Sequence, residues 1–220
     1  MQRLSSSIRA RPWEWLLLVA LVISYPLSAA LTPAWSVENG ILENLQVVAL
    51  ALGMLHALTA FRASRPARSA MLALCAAPVW LLLAARELSW GRVWLPASGQ
   101  TLAGAAAAFA WLQPLVRPLV LALVLWMLFA AWRHRVHQPL RSALARRTPW
   151  LCLGIVLAAG IGSTCAEGHM GCALDLPVTR SQAIEELVEL VAYSALVMIQ
   201  YSLLQKAWPR TAGKVQSRAA

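Results

Sequence analysis

The feature that most constrains this chain is a series of apolar stretches, each long enough to cross a lipid bilayer. A helix needs about 17–25 mostly apolar residues to span a hydrocarbon core of roughly 30 Å. Six such stretches are present, at about 14–32, 42–61, 69–88, 117–132, 149–165 and 184–204. We therefore predict an all-α fold, a polytopic bundle of six transmembrane helices that forms a single domain over residues 1–220.

One further apolar segment, residues 101–116, is shorter than a typical transmembrane span and contains Pro114. Its sequence is TLAGAAAAFAWLQPLV, and a proline inside such a segment usually ends or kinks a helix. We predict a short interfacial or re-entrant helix here, between the third and the fourth span.

The first 30 residues run from basic to apolar to small, which is the layout of a secretory signal peptide. Cleavage would leave five spans, whereas retention leaves six and changes no other orientation. We favour retention, because the apolar run is long for a signal peptide and the later segments already indicate a multispanning protein.

The composition is typical of a protein that is surrounded by lipid, since 60% of the residues are hydrophobic and 13% are charged. The formal net charge of +10 raises the question of a nucleic-acid partner. Fifteen of the nineteen lysines and arginines, however, would lie on one side of the six spans, which the positive-inside rule makes cytoplasmic. We therefore predict a bacterial inner-membrane protein with both termini in the cytoplasm, with membrane lipids and no nucleic acid as partners.

The acidic residues show the opposite distribution, since eight of the nine would lie towards the outer side. A carboxylate inside the membrane costs about 2–3 kcal/mol at mid-depth, so it usually faces a protein interior or a water-filled cavity. Because a helix rises about 1.5 Å per residue, the acids within or at the ends of spans would lie at a similar depth. These are Glu43, Glu87, Glu186 and Glu189.

Helical spacing groups these acids with other polar residues. In the sixth span, Glu186, Glu189 and Tyr193 are spaced i, i+3 and i+7. Gln200 follows seven residues later, so the spacing predicts one polar stripe along this helix. The second span offers a matching polar pair at positions 43 and 46. Two helices therefore present polar faces at the level where the third span ends.

The end of the third span places two opposite charges side by side, at Arg86 and Glu87. Adjacent residues of a helix point about 100° apart, so only one of them can face a shared cluster squarely. We predict that Glu87 faces inward, while Arg86 pairs with another glutamate or binds an anionic headgroup. Arg86 and, in the sixth span, Tyr193 are thus the candidate ligand-binding residues.

Carboxylates that converge near a membrane surface repel one another unless they are protonated, paired with arginine or bridged by a cation. Oxygen ligands suit a divalent metal, and E-x-x-E pairs recur in carboxylate-bridged metal bundles. The candidate metal ligands are Glu43, Glu87, Glu186 and Glu189. Glu87, Glu186 and Glu189 are also the candidate catalytic acids and bases. Two alternatives stay open, namely interhelical bonds without further function and proton or ion translocation.

The predicted outer loop before the sixth span contains Cys165 and Cys172. In an oxidising compartment, two thiols this close in sequence favour a disulfide, which we predict. A zinc site that also uses His169 and a pair of free thiols are the alternatives. Cys75 and Cys152 lie in apolar segments and are expected to be small buried side chains.

Three short segments together resemble a known family: ENGILEN at 38–44, AARELSWGR at 84–92 and IEELVE at 184–189. They are similar to an uncharacterised family of small bacterial multispanning inner-membrane proteins with an E-x-SWG motif after the third apolar segment. The resemblance implies a shared multispanning fold and a shared polar site, and it implies no activity. The chain departs from the family in carrying Arg86 before the motif glutamate, where a second acidic residue is expected.

The sequence contains no serine-hydrolase elbow, zinc-protease motif, P-loop or dinucleotide-binding fingerprint. It therefore leaves open whether the chain is an enzyme. We predict a carboxylate-lined site at the outer membrane face that binds or processes a lipid-linked or periplasmic ligand, with a divalent cation as the candidate cofactor. A proton- or cation-coupled carrier and a structural accessory subunit are the alternatives.

Overall fold

The structure is a computed structural model that describes residues 11–36, 40–64, 68–88, 90, 105–147, 149–168 and 176–204. The helices are α1 (Pro12–Ser28), α2 (Pro33–Ser36), α3 (Ile41–Ala63), α4 (Arg68–Glu87), α5 (Ala105–Arg133), α6 (His137–Arg147), α7 (Trp150–Ala166) and α8 (Val178–Leu204). No strand occurs within the described ranges, so the predicted all-α class is confirmed.

Four stretches of the described chain are long and apolar enough to cross a membrane, Ile41–Ala63, Ala70–Glu87, Pro114–Arg133 and Val178–Leu204. They correspond to the predicted second, third, fourth and sixth spans. The predicted first and fifth spans are the shorter apolar helices α1 and α7, which have 17 residues each. Length and composition therefore support four of the six predicted spans.

The separate short helix predicted at 101–116 is wrong for the part of that segment that the structure describes. From Ala105 onward these residues belong to α5, a single helix of 29 residues that runs to Arg133 through Pro114 and Pro118. Helices in membranes tolerate proline, because neighbouring groups and local adjustments satisfy the freed backbone atoms. The alanine-rich stretch before Pro114 also has a high helix propensity, so the helix continues instead of ending at the proline.

Proline marks the start of two helices that frame the bundle. α1 begins at Pro12, directly after the extended residue Arg11, because proline fits the first helical position, where no N–H is needed. α8 begins after Pro177, whose carbonyl accepts a hydrogen bond from the N–H of Ser181 at 3.0 Å. Both starts therefore follow from the local sequence.

α8 lies at the centre of the bundle and packs against α1, α3 and α7, while α3 packs along α4 and α5 contacts α4. Small side chains at these contacts allow the helix backbones to approach closely. Among the small buried residues are Ala57, Ala77, Ala159, Ala183 and Ala195. Large apolar side chains face outward on α1, α5 and α7 instead, where lipid would cover them.

The bundle has an acidic end and a basic end. At the acidic end, the C-terminus of α1 meets the N-terminus of α8, where Arg180 Nε donates to Ser28 Oγ at 3.4 Å. At the basic end, the N-terminus of α1 meets the C-terminus of α8, where Arg11 Nη1 donates to Ser202 Oγ at 3.1 Å. The carboxylates that the structure describes at the acidic end are Glu43, Glu87, Glu167, Glu185, Glu186 and Glu189.

Candidate functional site

The first part of the candidate site is a network around Arg86, between α4 and α8. Tyr193 Oη donates a hydrogen bond to Glu87 Oε1 at 2.6 Å. Arg86 Nη1 lies 3.3 Å from Tyr193 Oη and 3.7 Å from Glu87 Oε1. Its Nη2 donates to Glu189 Oε1 at 3.3 Å. The structure thus brings four of the predicted site residues together, and Arg86 pairs with another glutamate, one of the two partners predicted for it.

The members of this network differ in exposure. The side chains of Glu87 and Glu189 are 8% and 13% exposed, whereas that of Arg86 is 53% exposed. Because adjacent residues of a helix point about 100° apart, Glu87 turns into the bundle while Arg86 turns along its surface. The guanidinium therefore lies over two acids that are largely shielded by the bundle, and it keeps one side open to the surroundings.

Glu186 lies on a different side of α8 and faces α3. Gln46 Nε2 donates to Glu186 Oε2 at 2.8 Å and to the backbone oxygen of the same residue at 2.9 Å. Gln46 is fully buried, and its Oε1 has no hydrogen-bond partner in the described part of the chain. Glu43, one turn earlier in α3, is also buried and is close enough to Glu186 and Glu87 for their charges to interact.

A compact group of carboxylates is formed by Glu167, Glu185 and Glu189, which we call the acid trio. One oxygen of each side chain lies within 4.8 Å of the other two. Glu185 and Glu189 share a face of α8 through their i, i+4 spacing, and Glu167 is the residue directly after α7. Ser163 Oγ donates to Glu189 Oε1 at 3.1 Å, which holds this carboxylate against α7.

The predicted metal ligands are divided between these arrangements. Glu189 belongs to the acid trio, Glu186 is bonded to α3, and Glu87 accepts the tyrosine hydroxyl. Within the described residues, these three and Glu43 do not form a group in which all the ligand atoms lie within 4.8 Å of one another. The catalytic roles considered for Glu87, Glu186 and Glu189 stay predictions.

Sequence reasoning did not include Glu167 and Glu185 in the site. A signal for them was present, because Glu185 and Glu189 have the i, i+4 spacing of helical neighbours. The overlapping i, i+3 pair, Glu186 and Glu189, resembles the carboxylate pairs of known metal bundles, so the sequence favours that pair instead. Glu167 follows a different helix, and no spacing along the chain relates it to α8.

A second polar network lies deeper in the bundle, between α3, α4 and α8. Trp80 Nε1 donates to Gln200 Oε1. Gln200 Nε2 donates to the Gly53 backbone oxygen at 2.8 Å and lies 3.1 Å from His56 Nδ1. Leu50 packs with Trp80 of this network and with Tyr193 of the Arg86 network in one buried cluster. Of the polar stripe predicted along α8, Glu186, Glu189 and Tyr193 make their polar contacts at the acidic end, and Gln200 makes its contacts in this deeper network.

The predicted disulfide involves one described cysteine only. Cys165 lies in the last turn of α7, while Cys172 and the alternative zinc ligand His169 lie outside the described residues. Cys165 is disulfide-bonded, and its pairing with Cys172 stays a prediction. Cys75 and Cys152 are buried and free, as the apolar segments around them predicted.

Comparisons of the chain with protein-family models, with curated proteins and with solved structures find no match. A functional proposal therefore has to rest on the chemistry of the site. Three carboxylates on neighbouring helices can hold a hard cation, and the half-exposed guanidinium beside them can bind an anion.

Proposed function

We propose that this chain is a bacterial inner-membrane protein of six spans that binds a divalent cation at its acidic end, on the outer face of the membrane. The acid trio supplies the ligands. The observation that carries this proposal is that one oxygen from each of Glu167, Glu185 and Glu189 lies within 4.8 Å of the others. Oxygens bound to one ion at about 2.0–2.6 Å can lie no more than roughly 5 Å apart, so the spacing fits a shared ion.

The chemistry of the ligands limits the identity of the cation. Carboxylate oxygens favour Mg²⁺, Ca²⁺ or Mn²⁺ over softer metals. The hydrogen bond from Ser163 to Glu189 orients a ligand oxygen, as the outer partners of metal ligands generally do. Glu167 is exposed while Glu185 and Glu189 are half-buried, so an ion can reach the trio from outside the bundle.

The charge at the acidic end also favours a cation. The charges of Glu43, Glu185 and Glu189 act on Glu186, and those of Glu43 and Glu189 act on Glu87. Arg86 offsets part of this negative charge through its contacts with two of the acids. Carboxylates held this close in surroundings of low dielectric constant repel one another, and a bound divalent cation reduces that repulsion.

Proton or cation translocation has weaker support than binding. A relay across the membrane requires polar groups at short intervals along the bundle. Leu50 is fully buried and apolar, and it packs with Trp80 of the deeper polar network and with Tyr193 of the Arg86 network. The described residues therefore favour a site that opens at one end over a path through the bundle.

The proposal of six spans includes α1 and α7. Helices of 17 residues are about 26 Å long, near the lower limit for crossing the hydrocarbon core. Leu16 and Val22 on α1, and Leu157 and Ile161 on α7, are each more than half exposed, which is unfavourable in water and favourable in lipid. We also propose that the chain shares its fold with the E-x-SWG family.

The proposed topology can be tested with paired reporters, one active in the cytoplasm and one in the periplasm. Fused after Arg218, only the cytoplasmic reporter should be active, because fifteen of the nineteen basic residues agree on that side. The same reporters on a chain truncated after residue 100 should give the opposite result and serve as the control. Periplasmic activity after Arg218 would contradict the six spans and would indicate that α1 or α7 does not cross.

The proposed cation site can be tested by calorimetric titration of the purified protein with Mg²⁺ in maltoside micelles. We expect Glu185→Gln to weaken Mg²⁺ binding by about 100-fold, because it removes a ligand charge while keeping the shape of the side chain. Glu186→Gln is the matched control, since the neighbouring carboxylate is bonded to α3. It should weaken binding by at most about tenfold, because only a more distant charge is lost.

Two outcomes of this titration would count against the acid trio. Absence of Mg²⁺ binding by the unmodified protein would overturn the proposed function. If Glu186→Gln lowers the Mg²⁺ affinity more than Glu185→Gln does, the ligands lie on the α3 side of α8 instead.

A further inference from the structure

The guanidinium of Arg86 has hydrogen-bonding capacity beyond its contacts within the protein. Arginine offers five N–H donors. In the described residues, Arg86 uses Nη1 and Nη2 towards Tyr193, Glu87 and Glu189. Its side chain is 53% exposed, so donors remain on the side that faces away from the bundle. An outward-facing guanidinium fork fits the oxygens of a phosphate group.

In the proposed topology, Arg86 lies at the depth where a membrane presents phosphate. It is in the last turn of α4, which ends at Glu87. The same end of the bundle carries Trp35 and Trp90, which are 37% and 36% exposed. Exposed tryptophans prefer the level of the lipid headgroups. The phosphates of membrane lipids, and phosphates dissolved outside the membrane, can both reach this level.

The acids beside Arg86 would repel an anion in the absence of a cation. Arg86 carries one positive charge, and carboxylate oxygens of Glu87 and Glu189 lie 3.7 Å and 3.3 Å from its nitrogens. A divalent cation on the acid trio adds two positive charges next to these acids, which offsets most of the negative charge that would repel an anion. Binding of an anion at Arg86 therefore depends on the cation.

Glu189 connects the two binding events. Its Oε1 accepts hydrogen bonds from both Arg86 and Ser163, and its carboxylate also belongs to the acid trio. A cation bound to Glu189 is attracted by the same carboxylate charge that otherwise neutralises Arg86. The guanidinium then has more positive charge to offer to an external anion, so each ligand strengthens binding of the other.

We propose that Arg86 binds a phosphate group beside the cation on the acid trio, so that the ligand of this site is a phosphate-bearing molecule. This proposal rests on the proposed cation site. The source of the phosphate is either a lipid headgroup or a free phosphate, because the chemistry that Arg86 recognises is the same in both.

Titration with Mg²⁺ in maltoside micelles without phosphate separates the two proposals. The unmodified protein and Arg86→Gln should both bind Mg²⁺. The variant should bind it at least as tightly, because no guanidinium competes for the charge of Glu189. Retained Mg²⁺ binding also shows that Arg86→Gln is folded. Absence of binding by the unmodified protein overturns the cation site and this proposal with it.

Two additions to the titration then distinguish the sources of phosphate. Millimolar inorganic phosphate in micelles tests a free phosphate. Nanodiscs of phosphatidylglycerol, compared with nanodiscs of an uncharged galactolipid, test a lipid headgroup. We expect at least one addition to raise the Mg²⁺ affinity of the unmodified protein. The gain in affinity should be about tenfold larger for the unmodified protein than for Arg86→Gln. An anionic bilayer attracts Mg²⁺ to both proteins alike, so the difference between them is the informative quantity.

Tightening in micelles identifies free phosphate, and tightening in phosphatidylglycerol nanodiscs alone identifies the lipid; both results support the proposal. Arg86→Lys keeps the charge and loses the fork, so it should retain only part of the gain. The proposal is overturned if neither addition tightens Mg²⁺ binding to the unmodified protein. It is also overturned if the unmodified protein and Arg86→Gln gain equally while the cation site itself is intact.

Discussion

Replacement of Gly53 by alanine should strongly destabilise the bundle. A Cβ atom at this position would lie 2.6–2.8 Å from three carbon atoms of the Trp80 indole, well inside the usual contact distance. The indole cannot move away freely, because its Nε1 is bonded to Gln200 and its ring belongs to the core between α3, α4 and α8. We expect a loss of about 3 kcal/mol in the free energy of unfolding.

Thermal unfolding in micelles measures this effect, and about 3 kcal/mol corresponds to a fall in Tm of roughly 6–12 °C for a chain of this size. Gly160→Ala is the matched control, since a Cβ at Gly160 in α7 meets no atom within 4 Å. Alanine has the higher helix propensity, so this variant should keep or slightly raise Tm. Equal stability of the two variants would contradict the close packing of Gly53 on Trp80.

Most of the helical architecture could be predicted from the sequence. The predicted spans at 42–61, 69–88 and 184–204 overlap α3, α4 and α8. Lipid cannot hydrogen-bond to the backbone, so a crossing segment must be a helix of sufficient apolar length. This requirement applies to each segment separately and does not depend on how the helices pack. The spans can therefore be recognised from the sequence alone.

For the segment before Pro114, the rule that proline ends a helix gave a wrong prediction. In water, proline ends or kinks a helix because it removes a backbone donor and clashes with the preceding turn. In a bilayer, a helix that ended there would expose several unsatisfied backbone groups, each at a cost of several kcal/mol. Continuation through Pro114 and Pro118 leaves fewer such groups, so α5 remains one helix.

The level of the acids along their helices could be predicted, whereas most of their partners could not. Depth follows from the rise per residue, but partners depend on how each helix is rotated about its own axis. Glu185 and Glu186 illustrate this difference, because they are adjacent and point about 100° apart. Glu185 meets the acid trio beside α7, while Glu186 meets Gln46 on α3. Residue spacing within α8 does not determine which neighbouring helix each face of α8 contacts.

Glu189→Gln should affect the site more than any other single substitution considered, because Glu189 belongs to both the acid trio and the Arg86 network. Glutamine keeps the shape of the side chain and can still accept the hydrogen bond from Ser163, but it lacks the charge that the cation requires. We expect Mg²⁺ affinity in the calorimetric titration to fall by about 100-fold or more. Phosphate should then have no further effect, because the cation on which it depends is no longer held.

Glu87→Gln is the matched comparison and should behave differently. Its side chain lies beside Arg86 and is no member of the acid trio, and a glutamine carbonyl can still accept the hydroxyl of Tyr193. This variant should keep its Mg²⁺ affinity within about tenfold, and phosphate should enhance that affinity at least as much as in the unmodified protein, because one negative charge beside Arg86 is gone. Loss of Mg²⁺ binding in Glu87→Gln with retention in Glu189→Gln would instead place the cation near Glu43, Glu87 and Glu186, and the acid trio would then be a structural feature of the α7–α8 contact.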